Sequence, residues 1–198
     1  MQPILFDVPR LYAAIFIAAS AVWAVPEIVG TFLQRSRAAA NRQDRGSYGV
    51  VMGSIGIGFA GAFLSAAWLP QLAITANRYL IFWLGIALML AGIALRWYAI
   101  AVLGRSFTRD VVTREGQALV QTGPYRVIRH PAYSGSLLTI VGTGIVLGNA
   151  ASLIIITLGG LIGILYRIRV EEEALLGALG EPYRAYMSRT RRLIPFVW

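Results

Sequence analysis

The residues best suited to chemistry lie in one short run, from Arg129 to Gly135. It holds the only histidine of the chain, His130, followed by Pro131 and Tyr133. A proline fits the first turn of a helix, where its missing N–H needs no partner. A single histidine makes a poor metal site. Because it stands where a basic segment meets an apolar one, the run can face a polar ligand, and the pattern leaves a structural and a ligand-binding role equally open.

A second charged group closes the last apolar segment, Arg167-x-Arg169-x-Glu171-Glu172-Glu173. If the helix continues through it, each arginine can pair with the glutamate four residues later. Three adjacent carboxylates repel one another, so a role in stability alone explains the run poorly. We expect the glutamates to place negative charge beside a site that holds a cation.

Three other features are weaker indications of function. Gly56 to Gly61 matches G-x-G-x-x-G but follows no strand and lies in an uncharged apolar segment. A dinucleotide fingerprint needs a strand, a turn and a helix N-terminus, so we attribute the match to glycine-rich helix packing. Glu27 and Arg96 are single charges in or near apolar segments. Such charges are costly and often functional, yet Arg96 can also snorkel to the membrane surface, so their roles stay open.

The composition indicates a membrane protein. Hydrophobic residues make up 57% of the chain and charged residues 14%, with a mean hydropathy of +0.65, whereas soluble domains are about a quarter charged. All 18 lysine or arginine positions are arginine, and they lie between apolar runs, as in cytoplasmic loops, without the pattern expected of nucleic-acid binding. The absence of cysteine excludes thiol chemistry. The lack of lysine, with abundant Ala and Gly, indicates a bacterial genome and hence an inner-membrane location.

The apolar segments predict an all-α integral membrane protein with about five transmembrane helices. About 20 helical residues cross a bilayer core of roughly 30 Å, and the uncharged stretch from Tyr133 to Tyr166 is too long for one span. The turn signal Gly148-Asn149-Ala150 divides that stretch into a helical hairpin. The predicted spans cover residues 11–33, 49–69, 79–103, 131–147 and 152–166.

Arginine excess predicts the orientation of these spans. The basic segments are residues 34–47, residues 104–132 and the tail from 167, and an external N-terminus places all of them in the cytoplasm. We therefore divide the chain into an N-terminal part, residues 1–103, with spans one to three, and a catalytic part, residues 104–198, with a cofactor segment, the hairpin and the tail. The tail reads as an amphipathic helix with Tyr183, Tyr186 and arginines at the membrane surface.

The polar segments also carry six motifs in a fixed order. They are Gly104-Arg105-Ser106-Phe107, Gln117-Ala118-Leu119-Val120-x-Thr122-Gly123-Pro124-Tyr125, Arg129-His130-Pro131-Ala132-Tyr133-Ser134-Gly135, Arg169-x-x-Glu172-Glu173, Gly180-Glu181-Pro182-Tyr183-x-x-Tyr186 and Pro195-Phe196. In this order they resemble the isoprenylcysteine carboxyl methyltransferase family, over about residues 92–198. That superfamily is also similar to phospholipid N-methyltransferases and, more distantly, to the C-terminal part of sterol reductases.

The resemblance implies a cytoplasm-facing pocket for S-adenosylmethionine, closed by the tail, with a lipophilic or prenylcysteine-type substrate entering from the surrounding membrane lipids. Arg169 would orient the acceptor carboxylate, and Glu173, with Glu172, would contact the cofactor, although the run of three glutamates allows a one-residue slip. The implied lining of the cofactor pocket is Gln117, Ala118, Leu119, Val120, Tyr125, His130, Pro131, Ala132 and Tyr133. We expect no metal and no nucleic-acid partner.

The implied chemistry suits these residue types. A carboxylate acceptor is ionised near neutral pH, so it needs no general base, and positioning with desolvation can supply the catalysis. The leading hypothesis is therefore S-adenosylmethionine-dependent carboxyl methylation of an isoprenylcysteine-like or other lipophilic acid, with Arg169 and Glu173 as catalytic residues. N-methylation of a phospholipid headgroup, with His130 or a glutamate as base, an NADPH-dependent reductase and an inactive membrane scaffold stay open as alternatives.

Overall fold

The computed structural model describes residues 10–35, 46–104 and 119–195. Those ranges contain two short 3₁₀ turns, at Pro70–Leu72 and Gly123–Arg126. The α-helices found there are α1 Arg10–Arg35, α2 Ser47–Trp68, α3 Arg78–Leu103, α4 Pro131–Val146, α5 Ala150–Leu179 and α6 Glu181–Arg189. The predicted all-α class is confirmed.

Four of these helices are long and apolar enough to cross a membrane, namely α1, α2, α3 and α5. Helix α4 has 16 residues, about 24 Å, which is shorter than a bilayer core of roughly 30 Å. The count of five spans therefore stays a prediction. Helix α5 does not end near Tyr166 but continues to Leu179, so its charged distal half belongs to the same rigid helix as its apolar half.

Two glycine pairs bring α3 and α4 into close contact. Gly92 faces Gly135, and Gly85, two turns earlier in α3, faces Gly142, two turns later in α4. A Cβ at Gly92 would lie 2.5 Å from the carbonyl oxygen of Gly135, so no larger residue fits. Small residues are typical of such contacts in membranes. Because the pairs run in opposite order along the two helices, the end of α3 lies beside the start of α4.

Close contacts between small residues also join α2 to α5, and their order shows that these two helices are antiparallel. Gly58 packs against Gly159, and Gly163 packs against Ser54. Gly58 therefore serves helix packing, as predicted for the G-x-G-x-x-G match, while a Cβ at Gly56 would meet open space. The start of α2 consequently lies at the same end of the bundle as the distal half of α5.

The turn between α4 and α5 follows the predicted hairpin signal. Gly148 has a φ of 62°, a left-handed conformation that favours glycine. The side chain of Asn149 accepts a hydrogen bond from Ser152 N at 3.1 Å, which caps the first turn of α5. Its Nδ2 donates to the carbonyl of Leu69 at 2.9 Å. One buried asparagine thus connects the hairpin to the end of α2.

Helix α1 makes the least extensive contact with the rest of the bundle. Its inner face contributes Phe16 and Ala19, which pack against Phe82, Ile86 and Met89 of α3. Much of the remaining surface of α1 is exposed and apolar, as expected of a lipid-facing helix.

The chain after α6 folds back beside the segment that precedes α4. Arg191 N donates to Val127 O at 2.9 Å, and Arg129 N donates to Arg191 O at 2.7 Å, which forms a short parallel bridge. Ser134 Oγ donates to the carbonyl of Leu193 at 2.6 Å. The tail is therefore fixed to the protein itself, next to the run from Arg129 to Gly135.

Candidate active site

The buried carboxylate of Glu172 is the centre of a charged cluster at the start of α4. Its Oε1 accepts a hydrogen bond from Arg129 Nε at 2.9 Å and lies 3.3 Å from His130 Nε2. Its Oε2 accepts from Arg192 Nε at 3.1 Å. Glu172 and His130 are 4% and 5% exposed. Helix α5, the start of α4 and the tail each contribute one part of this cluster, which the sequence spreads over more than sixty positions.

Arg129 also binds the end of α6. Its Nη1 donates to the carbonyls of Met187 at 3.0 Å and Thr190 at 2.6 Å. These are carbonyls that the end of a helix leaves without helical partners, and a guanidinium there also suits the helix dipole. One arginine therefore holds Glu172 and the tail helix together.

A second polar cluster lies around Tyr133, one turn along α4. The hydroxyl of Tyr133 donates to Glu171 Oε2 at 2.8 Å and accepts from Arg167 Nε at 3.2 Å. Arg167 Nη1 in turn donates to Ser47 Oγ at the start of α2. The predicted i,i+4 partners Arg167 and Glu171 thus both bind Tyr133, and the cluster connects α2, α4 and α5.

Two tyrosines of α6 pack into the protein instead of lying at the membrane surface. Tyr183 is 1% exposed and Tyr186 3% exposed, so the prediction that they anchor the tail in the membrane is wrong. The Tyr186 hydroxyl donates to the carbonyl of Tyr125 at 2.7 Å. Burial raises the pKa of Tyr186 to about 12, against the opposing effect of Arg129 and Arg189, so the hydroxyl keeps its proton for that bond.

The hydroxyl of Tyr183 is buried and has no hydrogen-bond partner among the described residues. Burial, and then the negative charges of Glu172 and Glu171, raise the pKa of Tyr183. The hydroxyl therefore keeps its proton. A buried donor without a partner is costly. Sequence analysis missed Tyr183 as a site residue, although its spacing from Tyr186 places both on one face of a helix.

A third polar contact connects α1 to the start of α4. Arg96 Nε and Nη2 donate to the two carboxylate oxygens of Glu27 at 2.6 and 2.8 Å. Arg96 Nη1 donates to the carbonyl of Ala132 at 3.2 Å. The two intramembrane charges noted in the sequence, Glu27 and Arg96, are therefore the two partners of one ion pair.

The structure describes three of the five predicted pocket residues not yet mentioned, namely Leu119, Val120 and Pro131. Gln117 and Ala118 lie outside the described residues. Leu119 and Val120 are half-buried, and Val120 packs against a small core of Ala99, Tyr125 and Ala132. Pro131 is buried at the start of α4. The structure thus brings Tyr125, His130, Ala132, Tyr133 and Glu172 to one end of the bundle.

Arg169 and Glu173 lie on a different face of α5 and are exposed. At about 100° per residue, Arg169 lies about 60° around the helix from Glu172, and Glu173 lies about 100° from it in the same direction. Arg167 and Glu171 lie on the other side of Glu172. The two predicted catalytic side chains therefore lie on the exposed side of α5 next to the cluster.

Comparisons with known proteins bear on this end of the bundle. The sequence model of the isoprenylcysteine carboxyl methyltransferase (ICMT) family matches residues 83–177, which run from α3 almost to the end of α5 and include every buried charge of the clusters except Glu27 and Arg192. Over these residues the chain is similar to the ICMT family. The ICMT match excludes α1, α2 and the tail.

Individual ICMT relatives and a solved structure agree. The chain is 37% identical to protein-S-isoprenylcysteine O-methyltransferase B of Arabidopsis thaliana over 115 residues, which are 57% of this chain and 58% of that protein. It is 35% identical to protein-S-isoprenylcysteine O-methyltransferase of Saccharomyces cerevisiae (strain ATCC 204508 / S288c) over 121 residues, which are 58% of this chain and 48% of that protein. The chain thus spans less than two thirds of the length of these ICMT relatives. The structure of the eukaryotic intramembrane Ras methyltransferase ICMT superposes with a TM-score of 0.67 at 25% identity, covering 98% of this chain and 70% of that one.

Proposed function

We propose that this multi-pass membrane protein is an S-adenosylmethionine-dependent methyltransferase that esterifies a carboxylate on an isoprenylcysteine-like or other lipophilic substrate. The single observation that carries the proposal is the cluster of Arg129, His130 and Glu172. It lies at the start of α4, is formed by residues inside the ICMT match, and is covered by the tail. A buried ion cluster of this kind supplies rigidity to the neighbouring residues that would contact a ligand.

The residues around this cluster fit S-adenosylmethionine, which would supply a methyl group activated by a sulfonium. The Tyr133 ring, whose centroid lies 5.7 Å from that of His130, offers an aromatic face of the kind that attracts cations. The carboxylate of Glu173 is exposed beside the cluster, and the Tyr183 hydroxyl is a buried donor without a partner among the described residues. These groups match a ligand that carries an ammonium, a positive sulfur and several hydrogen-bond acceptors.

The roles of the chain's own residues follow from their placement. Glu173 would contact the cofactor and Arg169 would orient the acceptor carboxylate through its planar fork of donors. Both are exposed, whereas Arg167 and Glu172 are buried. An ionised carboxylate needs no base, because its oxygen bonds to the methyl carbon as the carbon–sulfur bond breaks. The chain then has to position the two reactants and exclude water.

The lipophilic nature of the acceptor is supported by the location of the site. The start of α4 adjoins α3 and α5, which are apolar enough to span a membrane, so a substrate with an isoprenoid chain could reach the site from the bilayer. The family resemblance implies that the site opens to the cytoplasm, with the N-terminus outside. The printed names of the relatives specify isoprenylcysteine, and we extend that acceptor class to this chain as part of the proposal.

Calorimetric binding of S-adenosylhomocysteine to the detergent-purified protein tests the cofactor. We expect S-adenosylhomocysteine to bind and NADPH not to bind. His130→Ala should weaken this binding, whereas Arg169→Ala should abolish turnover with little loss of cofactor affinity. Binding of NADPH alone would overturn the methyltransferase proposal in favour of a membrane reductase.

A methyl-transfer assay with two acceptors tests the acceptor class. Radiolabelled S-adenosylmethionine would be offered with a synthetic S-prenylated cysteine or with phosphatidylethanolamine vesicles. We expect base-labile methyl incorporation into the prenylated cysteine, as a methyl ester requires. Base-stable incorporation into the phospholipid would instead identify an N-methyltransferase and contradict the carboxylate assignment.

A further inference from the structure

We propose that Glu27 of α1 is a positioning residue for the active site, an inference that rests on the proposed function. Glu27 lies outside the residues that match the ICMT family and outside the cofactor segment. Its carboxylate nevertheless forms both hydrogen bonds of a bidentate ion pair with Arg96. Through Arg96 it acts on the first turn of α4, where the predicted cofactor residues lie.

The path from Glu27 to the site consists of three direct hydrogen bonds. Two nitrogens of Arg96, Nε and Nη2, donate to Glu27, and the third nitrogen, Nη1, donates to the carbonyl of Ala132 at 3.2 Å. A planar guanidinium cannot turn one donor without moving the others. The carboxylate therefore fixes the plane of the guanidinium, and the guanidinium fixes the carbonyl of Ala132. Ala132 lies between His130 and Tyr133, whose side chains form the two polar clusters.

The depth of the two charges supports a specific pairing. Glu27 lies eight residues before the end of α1, and Arg96 lies seven residues before the end of α3. At 1.5 Å per residue both are roughly 11–12 Å from their helix ends. Their side chains are 26% and 10% exposed. Similar depth thus places the two side chains opposite each other, at distances of 2.6 and 2.8 Å.

Stability alone explains the pair poorly. Taking two charges out of water costs free energy that their attraction often fails to exceed, and an apolar pair of similar size is frequently as stable. Helix α1 already has an apolar contact with α3, formed by Phe16 and Ala19. What an apolar pair could not provide is a fixed donor to the Ala132 carbonyl. The ion pair therefore adds orientation at the site more than it adds helix association.

The test is calorimetry of S-adenosylhomocysteine binding to the full chain, comparing the unaltered protein with Glu27→Gln. The matched control is Glu181→Gln, the same change at a side chain that is 78% exposed. We expect Glu27→Gln to raise Kd at least tenfold, about 1.4 kcal/mol, with unchanged binding stoichiometry, and the control to leave both unchanged. A purely structural role would instead lower the stoichiometry, because fewer molecules would be folded, while Kd stayed the same. An unchanged Kd for Glu27→Gln overturns the inference.

A double-mutant cycle tests whether Glu27 acts through Arg96. In an Arg96→Lys background the guanidinium is gone, so we expect Glu27→Gln to raise Kd less than threefold further. Fully additive losses would show that Glu27 acts by another path and would contradict the inference. If Glu27→Gln cannot be purified, Glu27→Asp replaces it, with at least threefold weaker binding expected and unchanged binding overturning the inference. Failure of the unaltered protein to bind S-adenosylhomocysteine would overturn the proposed function itself.

Discussion

Two sides of the distal half of α5 carry the same residue types and differ in almost everything else. On the inner side, Glu172 is buried and receives hydrogen bonds from Arg129 and Arg192, with His130 beside it. On the outer side, Arg169 and Glu173 are exposed. Residues 172 and 173 are neighbours in the chain, yet one carboxylate is enclosed by cations and the other is accessible to a ligand.

The difference shows that helical rotation, and not residue type, assigns the roles within a charged run. A step of about 100° per residue moves a side chain from the protein interior to its border. The carboxylate of Glu172 is buried among two arginines, whereas that of Glu173 is exposed at the border of the protein. We infer that the inner side builds the site and that the outer side contacts ligands.

The largest effect in this comparison is expected for Glu172→Gln. The change leaves Arg129 and Arg192 without their shared carboxylate in a buried position, a defect that typically costs about 3–5 kcal/mol. The tail would be released as well, because Arg129 also holds the end of α6. Equilibrium unfolding in mixed detergent micelles would measure the loss.

The neighbouring variant Glu173→Gln is the matched control for that measurement. It removes the same charge one position away, so we expect a change within about 0.5 kcal/mol in the free energy of unfolding. Cofactor affinity, by contrast, should fall for both variants. Equal losses of stability at both positions would contradict the division into an inner and an outer side.

The next largest difference is expected between Arg167→Ala and Arg169→Ala. Arg167 is 4% exposed and donates to Tyr133 and Ser47, so its removal should lower the free energy of unfolding by about 3 kcal/mol. Arg169→Ala should leave stability unchanged and stop methyl transfer. Measuring unfolding and turnover on both variants separates the roles. Loss of turnover without destabilisation in Arg167→Ala would transfer the acceptor role to Arg167.

Much of the fold follows from the sequence, because hydrophobic length and turn residues act locally. The starts of α2, α3 and α4 were predicted within two residues of Ser47, Arg78 and Pro131. The turn at Gly148 and Asn149 was also correct, since glycine and an asparagine cap are local signals. The fifth span was predicted to residue 166, and the continuation of its helix to Leu179 was left open, because membrane thickness limits an apolar span but not the helix beyond it.

The site was less predictable, because its contacts join distant positions. His130 and Glu172 were both candidates, and their proximity needs the fold of the hairpin and tail. The pairing of Glu27 with Arg96 spans 69 positions, and no periodicity indicates it. Tyr183 and Tyr186 were assigned to the membrane surface because an amphipathic helix looks the same in sequence whether it covers lipid or protein.

A smaller effect is expected for Tyr133→Phe, which tests the connection between α4 and α5. The hydroxyl joins Arg167 to Glu171, and hydrogen bonds to charged groups are worth about 1.5–3 kcal/mol. We therefore expect about 2 kcal/mol of destabilisation, less than for Arg167→Ala because Arg167 keeps its bond to Ser47. Unfolding titrations of the single variants and the double variant would show non-additive losses if the three groups act together. Strict additivity would contradict this network.

The smallest loss of stability is expected for Tyr183→Phe. This variant distinguishes residues that hold the site together from residues that contact the ligand. The Tyr183 hydroxyl has no partner among the described residues, so its removal relieves an unsatisfied buried donor and should not lower the free energy of unfolding. Tyr186→Phe is the control, because that hydroxyl donates to the Tyr125 carbonyl and its loss should cost about 1 kcal/mol.

Cofactor binding to Tyr183→Phe is the second measurement. If the Tyr183 hydroxyl donates a hydrogen bond to the bound cofactor, Tyr183→Phe should weaken S-adenosylhomocysteine binding several-fold while the protein stays at least as stable as before. Unchanged affinity would show that Tyr183 belongs to the core and not to the ligand site.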